Sequence, residues 1–249
     1  MSKAQRERER AVARRIVEQQ KAAAKRRKVT IWTSVAVVAV LVIAGLIGFG
    51  VYANQSKTAA SKVVTPSVAV DSGTAFAVGT GPVTIDLYED FMCPICHQFE
   101  IDSGATINQL VADKKVTVRY HTVAILDDSS QGTKYSTRAA GAAAEAAQEG
   151  KFKEYHDVLY ENQPEENSSG LTDAKLIELG KSVGLGDTFA AAVNNKTYDP
   201  WVATVTETFA ARGFNGTPTI VVNGKQLTGT NGGVPTHDQL SQAVAAAAG

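Results

Sequence analysis

The chain has two cysteines, and they lie three residues apart in Cys93-Pro94-Ile95-Cys96. If a helix opens at the first of them, this spacing brings the two sulfurs within disulfide reach. A helix start carries free N–H groups and the positive end of the helix dipole. Both favour a thiolate, and Cys-x-x-Cys pairs in such places have a thiol pKa lowered from about 8.5 to roughly 3.5–7. Pro94 suits the first helical position, where its missing N–H costs nothing. The expected division of labour makes Cys93 the exposed nucleophile. Cys96, one turn further in and more buried, resolves the mixed disulfide. Two blander readings stand beside this one: half of a zinc site, which lacks a second cysteine pair to complete it, and an inert structural disulfide. His97 follows the motif and either faces solvent or, as a cation near the helix start, assists the Cys93 thiolate. No metal site is expected, and no cofactor beyond a redox-active Cys93–Cys96 disulfide.

The elements that must position this pair are legible around it. Val83–Tyr88 has the β-branched content and length of a strand. From Cys93 to about Asp113 the pattern is helical, with Ile95, Phe99, Ile107, Leu110 and Val111 on an apolar stripe. Val116–Leu126 is read as a second strand, which makes a βαβ unit with parallel strands. A helical block follows, about 130–213, with Thr172 as a plausible cap and with Tyr198, Trp201 and Phe209 assigned to the core. Thr219–Asn223 and Gln226–Leu227 flank a hairpin turn at Asn223-Gly224, and a helix capped by Thr236 closes the chain. The reading is an α/β order: βαβ, an all-helical insertion, then ββα, preceded by one transmembrane helix.

Net charge is zero over 249 residues, but it is unevenly spread. Residues 1–28 carry 11 Lys+Arg against 3 acidic residues, and the remainder carries 14 against 22. An acidic main domain argues against nucleic-acid binding. Between Lys28 and Lys57 no residue is charged, and the apolar run 29–52 is long enough to span a bilayer. The positive-inside rule places residues 1–28 in the cytoplasm and the rest outside. Residues 53–80 read as an extracytoplasmic linker with room for one short strand, and 81–249 as the catalytic domain. A signal peptide cleaved after Ala53 is the competing reading of the apolar run.

Asp90-Phe91-Met92-Cys93-Pro94-Ile95-Cys96-His97-Gln98-Phe99, followed far downstream by Gly216-Thr217-Pro218-Thr219, resembles the DsbA-like thiol–disulfide oxidoreductases of the thioredoxin superfamily. The resemblance covers roughly residues 80–249. It implies that Pro218 is cis and lies against the cysteines, and that Thr217 offers backbone groups to a bound substrate peptide as an added strand. It further implies oxidation of cysteines in exported proteins and a membrane partner that reoxidises the pair. A reductase or isomerase on the same fold and a non-catalytic scaffold are the alternatives. The chain departs from the family pattern twice. The family often has a buried acid six residues before the first cysteine, where this chain has Leu87. Asp86 and Glu89 are near, either as ordinary strand-end polar residues or as an acid serving Cys96. The central pair is Pro94-Ile95, where strong oxidases have Pro-His, and an apolar Ile removes a group that could stabilise the thiolate.

Overall fold

The computed structural model describes residues 63–230 and 232–249. The expectations for the basic arm, the apolar span and the linker up to residue 62 lie outside the described residues. Among the described residues no helix is long and apolar enough to cross a membrane.

Five strands form one mixed sheet in the order β1-β3-β2-β4-β5. They are β1 (Phe76–Gly79), β2 (Val83–Glu89), β3 (Val116–Thr122), β4 (Thr219–Val222) and β5 (Lys225–Leu227). Helix α1 (Pro94–Ala112) connects β2 to β3, which pair in parallel from Val83↔Val116 to Glu89↔Thr122. β4 runs antiparallel to β2, with Leu87 opposite Ile220 and Tyr88 opposite Thr219. That pairing brings Thr217 and Pro218, the residues just before β4, to the end of β2 from which the cysteines emerge. β2 is the central strand and is buried along almost its whole length. Its Val, Ile and Leu content suits a strand covered on both faces.

The insertion consists of a 3-10 turn (Asp127–Ser130) and helices α2 (Tyr135–Gln148), α3 (Phe152–Glu161), α4 (Asp173–Ser182), α5 (Asp187–Asn195) and α6 (Asp199–Ala211). α2 is small on every side, with alanines at 139, 140, 142, 143, 144, 146 and 147 all buried. This lets α3, α5 and α6 pack closely around it. Tyr198, Trp201 and Phe209 are core residues. The β4–β5 connection has φ +44° at Asn223 and +79° at Gly224, the two positive φ values a two-residue hairpin needs. α7 (His237–Ala247) opens with a reciprocal capping box between Thr236 and Gln239, and Thr172 caps α4.

Three expectations differ from the structure. β3 stops at Thr122 instead of continuing to Leu126: Val123 N–H still bonds the Glu89 carbonyl at 2.9 Å, but Leu126 N–H is claimed by the Asp90 carboxylate. The stretch read as a linker with room for one short strand does hold that strand, β1, but it is not exposed: Phe76 is buried against Phe152 and Trp201. Packing therefore begins before residue 81, and Gly81 is tight because a Cβ there would meet Val116 N at 2.1 Å. Ile95 does not join the buried stripe of α1. It is 56% exposed and lines the groove beside Thr217 and Pro218, and burial starts at Cys96 and Phe99.

Candidate active site

The approach to the cysteines is a turn, Glu89–Cys93, held from three directions. Cys93 N–H bonds the Asp90 carbonyl at 2.9 Å, and Asp90 Oδ1 accepts from Met92 N–H at 2.9 Å. Ser136 Oγ on α2 donates to the same Oδ1 at 2.6 Å, and Leu126 N–H to Oδ2 at 2.9 Å. From α3 and its C-terminal end, Tyr160 Oη donates to the Asp90 carbonyl and Gln163 Nε2 to the carbonyls of Phe91 and Cys93. Burial pushes the Asp90 carboxyl up to about 6, against the pull of the Ser136, Met92 and Leu126 hydrogen bonds. A buried acceptor with this many donors fixes a loop more firmly than its sequence indicates.

Cys93 occupies the N-cap of α1, with extended backbone (φ −76°, ψ 114°), Pro94 in the first turn and no acidic side chain there to oppose a thiolate. Both cysteines are thiols in this structure. Cys96 is fully buried, and Cys93 is 5% exposed, not the open nucleophile the sequence reading expected. The cover is local: Thr217 brings its carbonyl to 3.3 Å from Cys93 Sγ, where the thiol donates to it. The Thr217–Pro218 peptide bond is cis. Beside this contact lies a groove of about 320 Å³ lined by Ile95, Phe214, Thr217, Pro218, Val234 and Pro235 among others.

The two thiols differ sharply in acidity. Cys93 is lowered from 9.0 to about 6, chiefly because the Cys96 thiol donates a hydrogen bond to its sulfur. Burial opposes this, and the Thr217 side chain and the backbone N–H groups of Cys96 and Ile95 assist it. The thiolate gives up the bond to the Thr217 carbonyl, so these donors are what hold the anion. Cys96 is raised well above 9.0 by burial first, then by its bond to Cys93 and the charge of Glu89. His97 stacks on Tyr160 at 6.1 Å between ring centroids. Among the described residues no hydrogen bond joins its ring to Cys93.

The open question of Asp86 and Glu89 divides between them. Asp86 takes Arg119 on both carboxylate oxygens, at 2.6 and 2.7 Å, and His121 Nε2 at 3.1 Å. It belongs to a charge network with Asp71, Arg212 and Tyr88 on the far side of β2. Leu87 is buried core. Glu89 is the acid on the Cys96 side. It is 2% exposed, bonds His156 Nε2 at 3.0 Å, and leaves Oε1 without a partner among the described residues. Sequence reasoning did not single out Asp90 as a clamp, or Ser136, His156, Tyr160 and Gln163. Ser136 to Gln163 lie 43 to 70 residues beyond Cys93, and no spacing rule reaches them.

The chain matches the family model described as Thioredoxin over residues 57–245. It belongs to the thioredoxin family, among the DsbA-like thiol–disulfide oxidoreductases. The crystal structure of oxidised DsbA from Mycobacterium tuberculosis is 32% identical, with a TM-score of 0.60 over 70% of this chain and 93% of that one. Disulfide bond formation protein D of Bacillus subtilis is 28% identical over 59% of this chain and 65% of its own length. The serine/threonine-protein kinase PknE of M. tuberculosis is 33% identical over 159 residues, 60% of this chain. The matched region is only 28% of the kinase, so this chain spans a small part of that relative.

Proposed function

We propose that Cys93 and Cys96 cycle between disulfide and dithiol outside the cytoplasm, and that this DsbA-like chain oxidises cysteine pairs in exported proteins. The observation that carries the reading is the division between the two thiols: an acidic Cys93 against Thr217 and a fully buried, weakly acidic Cys96. A substrate thiolate attacks Cys93 Sγ, the Cys93–Cys96 bond breaks, and Cys96 leaves and is protonated. The substrate's second thiolate then attacks its own sulfur in the mixed disulfide, and Cys93 leaves as a thiolate. The substrate is oxidised by two electrons and the pair is reduced by two. A low leaving-group pKa at Cys93 favours this direction. Thr217 and Pro218 form the wall along which a substrate peptide lies, with the exposed Ile95 and Val234 giving an apolar rim. Anchorage through residues 29–52 keeps the site near a membrane partner that takes the electrons away.

Redox titration of the chain against glutathione is the test. A potential well above about −200 mV supports oxidation, and one near about −270 mV assigns a reductase. The oxidised chain is also expected to consume the thiols of a reduced, unfolded protein, and Cys93→Ser to abolish this. A normal rate in Cys93→Ser, or none in the unaltered chain, would reject the redox role and leave a scaffold.

A further inference from the structure

Resting on that redox reading, the chemistry leaves one proton unaccounted for. When Cys96 leaves, its sulfur is a buried anion at a position that strongly favours the thiol. Reoxidation needs the reverse, removal of that proton before Cys96 can attack. Cys96 has no exposed surface, so the proton must pass through side chains.

His156 on α3 is placed for this. Its imidazole is fully buried, and both ring nitrogens meet carboxylates: Nε2 lies 3.0 Å from Glu89 Oε2 and Nδ1 lies 3.1 Å from Asp157 Oδ1. The two carboxylates belong to different environments. Glu89 is buried at the inner end of β2, and the Asp157 side chain is 41% exposed. Asp157 opens on a groove also lined by Glu100, Lys153, Tyr160 and Glu161. Tyr120, Phe91, Phe152 and Tyr160 wall the ring with centroids 4.9 to 5.7 Å away. The imidazole is therefore the polar bridge between a buried acid and the surface.

We propose that His156 is the proton relay of Cys96, passing a proton between buried Glu89 and surface Asp157 and so connecting the redox pair to the groove beside α1. Glu89 Oε1, which has no partner among the described residues, is the free acceptor at the inner end. Glu89 acts on Cys96 through its charge, without a direct hydrogen bond, so one water crosses that last step. In the oxidative half-cycle the His156 imidazolium gives its proton to the Glu89 carboxylate, Glu89 passes it on to the Cys96 sulfur, and solvent reprotonates His156 through Asp157. Atoms and charge balance with one proton taken from solvent for each Cys96 thiol formed.

The groups that face His156 are Glu89 from β2, Glu100 from α1, Tyr120 from β3, and Lys153, Asp157 and Tyr160 from its own helix. Glu100 has a carboxylate oxygen within 4.8 Å of Glu89 and of the imidazole, and its own Oε1 also has no partner among the described residues. Burial works against the imidazolium, but hydrogen bonds to Asp157 and Glu89 and the charges of Glu100 and Glu89 outweigh it, holding His156 up to about 9. Burial and then the Glu89 charge push Glu100 up to about 8. At neutral pH the cluster thus stores protons beside the sulfur that needs one.

The test follows release of glutathione from a Cys93–glutathione mixed disulfide in the full chain, as a function of pH. Release requires Cys96 to lose its proton. Glu89→Gln and His156→Gln should slow release by roughly 10²-fold, the usual scale of acid–base assistance. Asp157→Asn, at the surface end and outside the core, should slow it by roughly tenfold and move the pH inflection downward, because His156 loses one of the bonds that raises it. The Cys93 thiolate titration at 240 nm should stay where it is. Unaltered rates and inflection in Asp157→Asn, or slowing in all three with no shift of the pH profile, would overturn the relay while exchange itself persists. Absence of release from the unaltered chain at any pH would overturn the redox reading and the relay together.

Discussion

Replacing Cys96 by alanine removes the hydrogen-bond donor that contributes most to the acidity of Cys93. The full shift at Cys93, from 9.0 to about 6, corresponds to roughly 4 kcal/mol in favour of the thiolate. At pH 7 less of this is felt. An ordinary thiol there is almost wholly protonated and Cys93 mostly ionised, so the dithiol state gains roughly 1–2 kcal/mol, or about 30 mV for a two-electron couple. A single hydrogen bond to an anion contributes about 1.5–3 kcal/mol, so Cys96→Ala should raise the Cys93 midpoint by about one to two units. The thiolate absorbance at 240 nm, titrated from pH 4 to 10, reads this directly, since Cys93 is then the only thiol in the chain. Iodoacetamide alkylation against pH gives an independent midpoint and tests whether the groove admits a reagent to a sulfur that is 5% exposed. A wild-type midpoint of 8.5 or above, or a variant midpoint equal to the wild-type one, would refute the claim that Cys96 and the helix start set the acidity. The arithmetic also implies that Cys93 acidity alone is a modest source of oxidising power, in keeping with an apolar Ile95 at the centre of the motif.

Stability should fall as the solution becomes alkaline. His156 is raised in the folded chain from 6.5 to about 9, so its stabilisation is complete below about pH 6.5 and disappears as pH rises through 9. Glu100, raised from 4.5 to about 8, acts in the same sense across pH 4.5–8, because the folded chain holds its proton more tightly than the unfolded chain. Urea midpoints measured from pH 5 to 9.5 should decline, and Glu100→Gln should flatten the part below pH 8; a profile rising through that range would contradict both assignments. Asp90→Ala should cost roughly 2–4 kcal/mol by stranding the donors of Ser136, Met92 and Leu126. The same variant should broaden the Cys93 titration, and an unchanged urea midpoint would show that the Asp90 clamp does not hold the site turn.

Local chemistry made several features readable from the residue order. Cys93-Pro94 marks a helix start because proline fits the first turn, and Asn223-Gly224 marks a hairpin because both residues accept positive φ. Thr236 and Thr172 mark caps because a hydroxyl can take a free N–H. Each is decided within a few residues, so the sequence determined these elements, the position of the cysteine pair at a strand-to-helix junction and hence the thioredoxin-like order. Packing decided the rest. Strand alternation sends Asp86 and Leu87 to opposite faces, but only the assembled sheet and α3 show that Glu89 meets His156 and that Asp86 is taken by Arg119 and His121. Ile95 fits a helical apolar stripe, yet it lies open on the groove beside Thr217 and Pro218. Cys93 is covered by a carbonyl 124 residues away, a contact made by the pairing of β4 with β2. Periodicity specifies which face a side chain takes; what stands opposite that face depends on how distant segments pack, and the proton traffic and acidity of this site are set there.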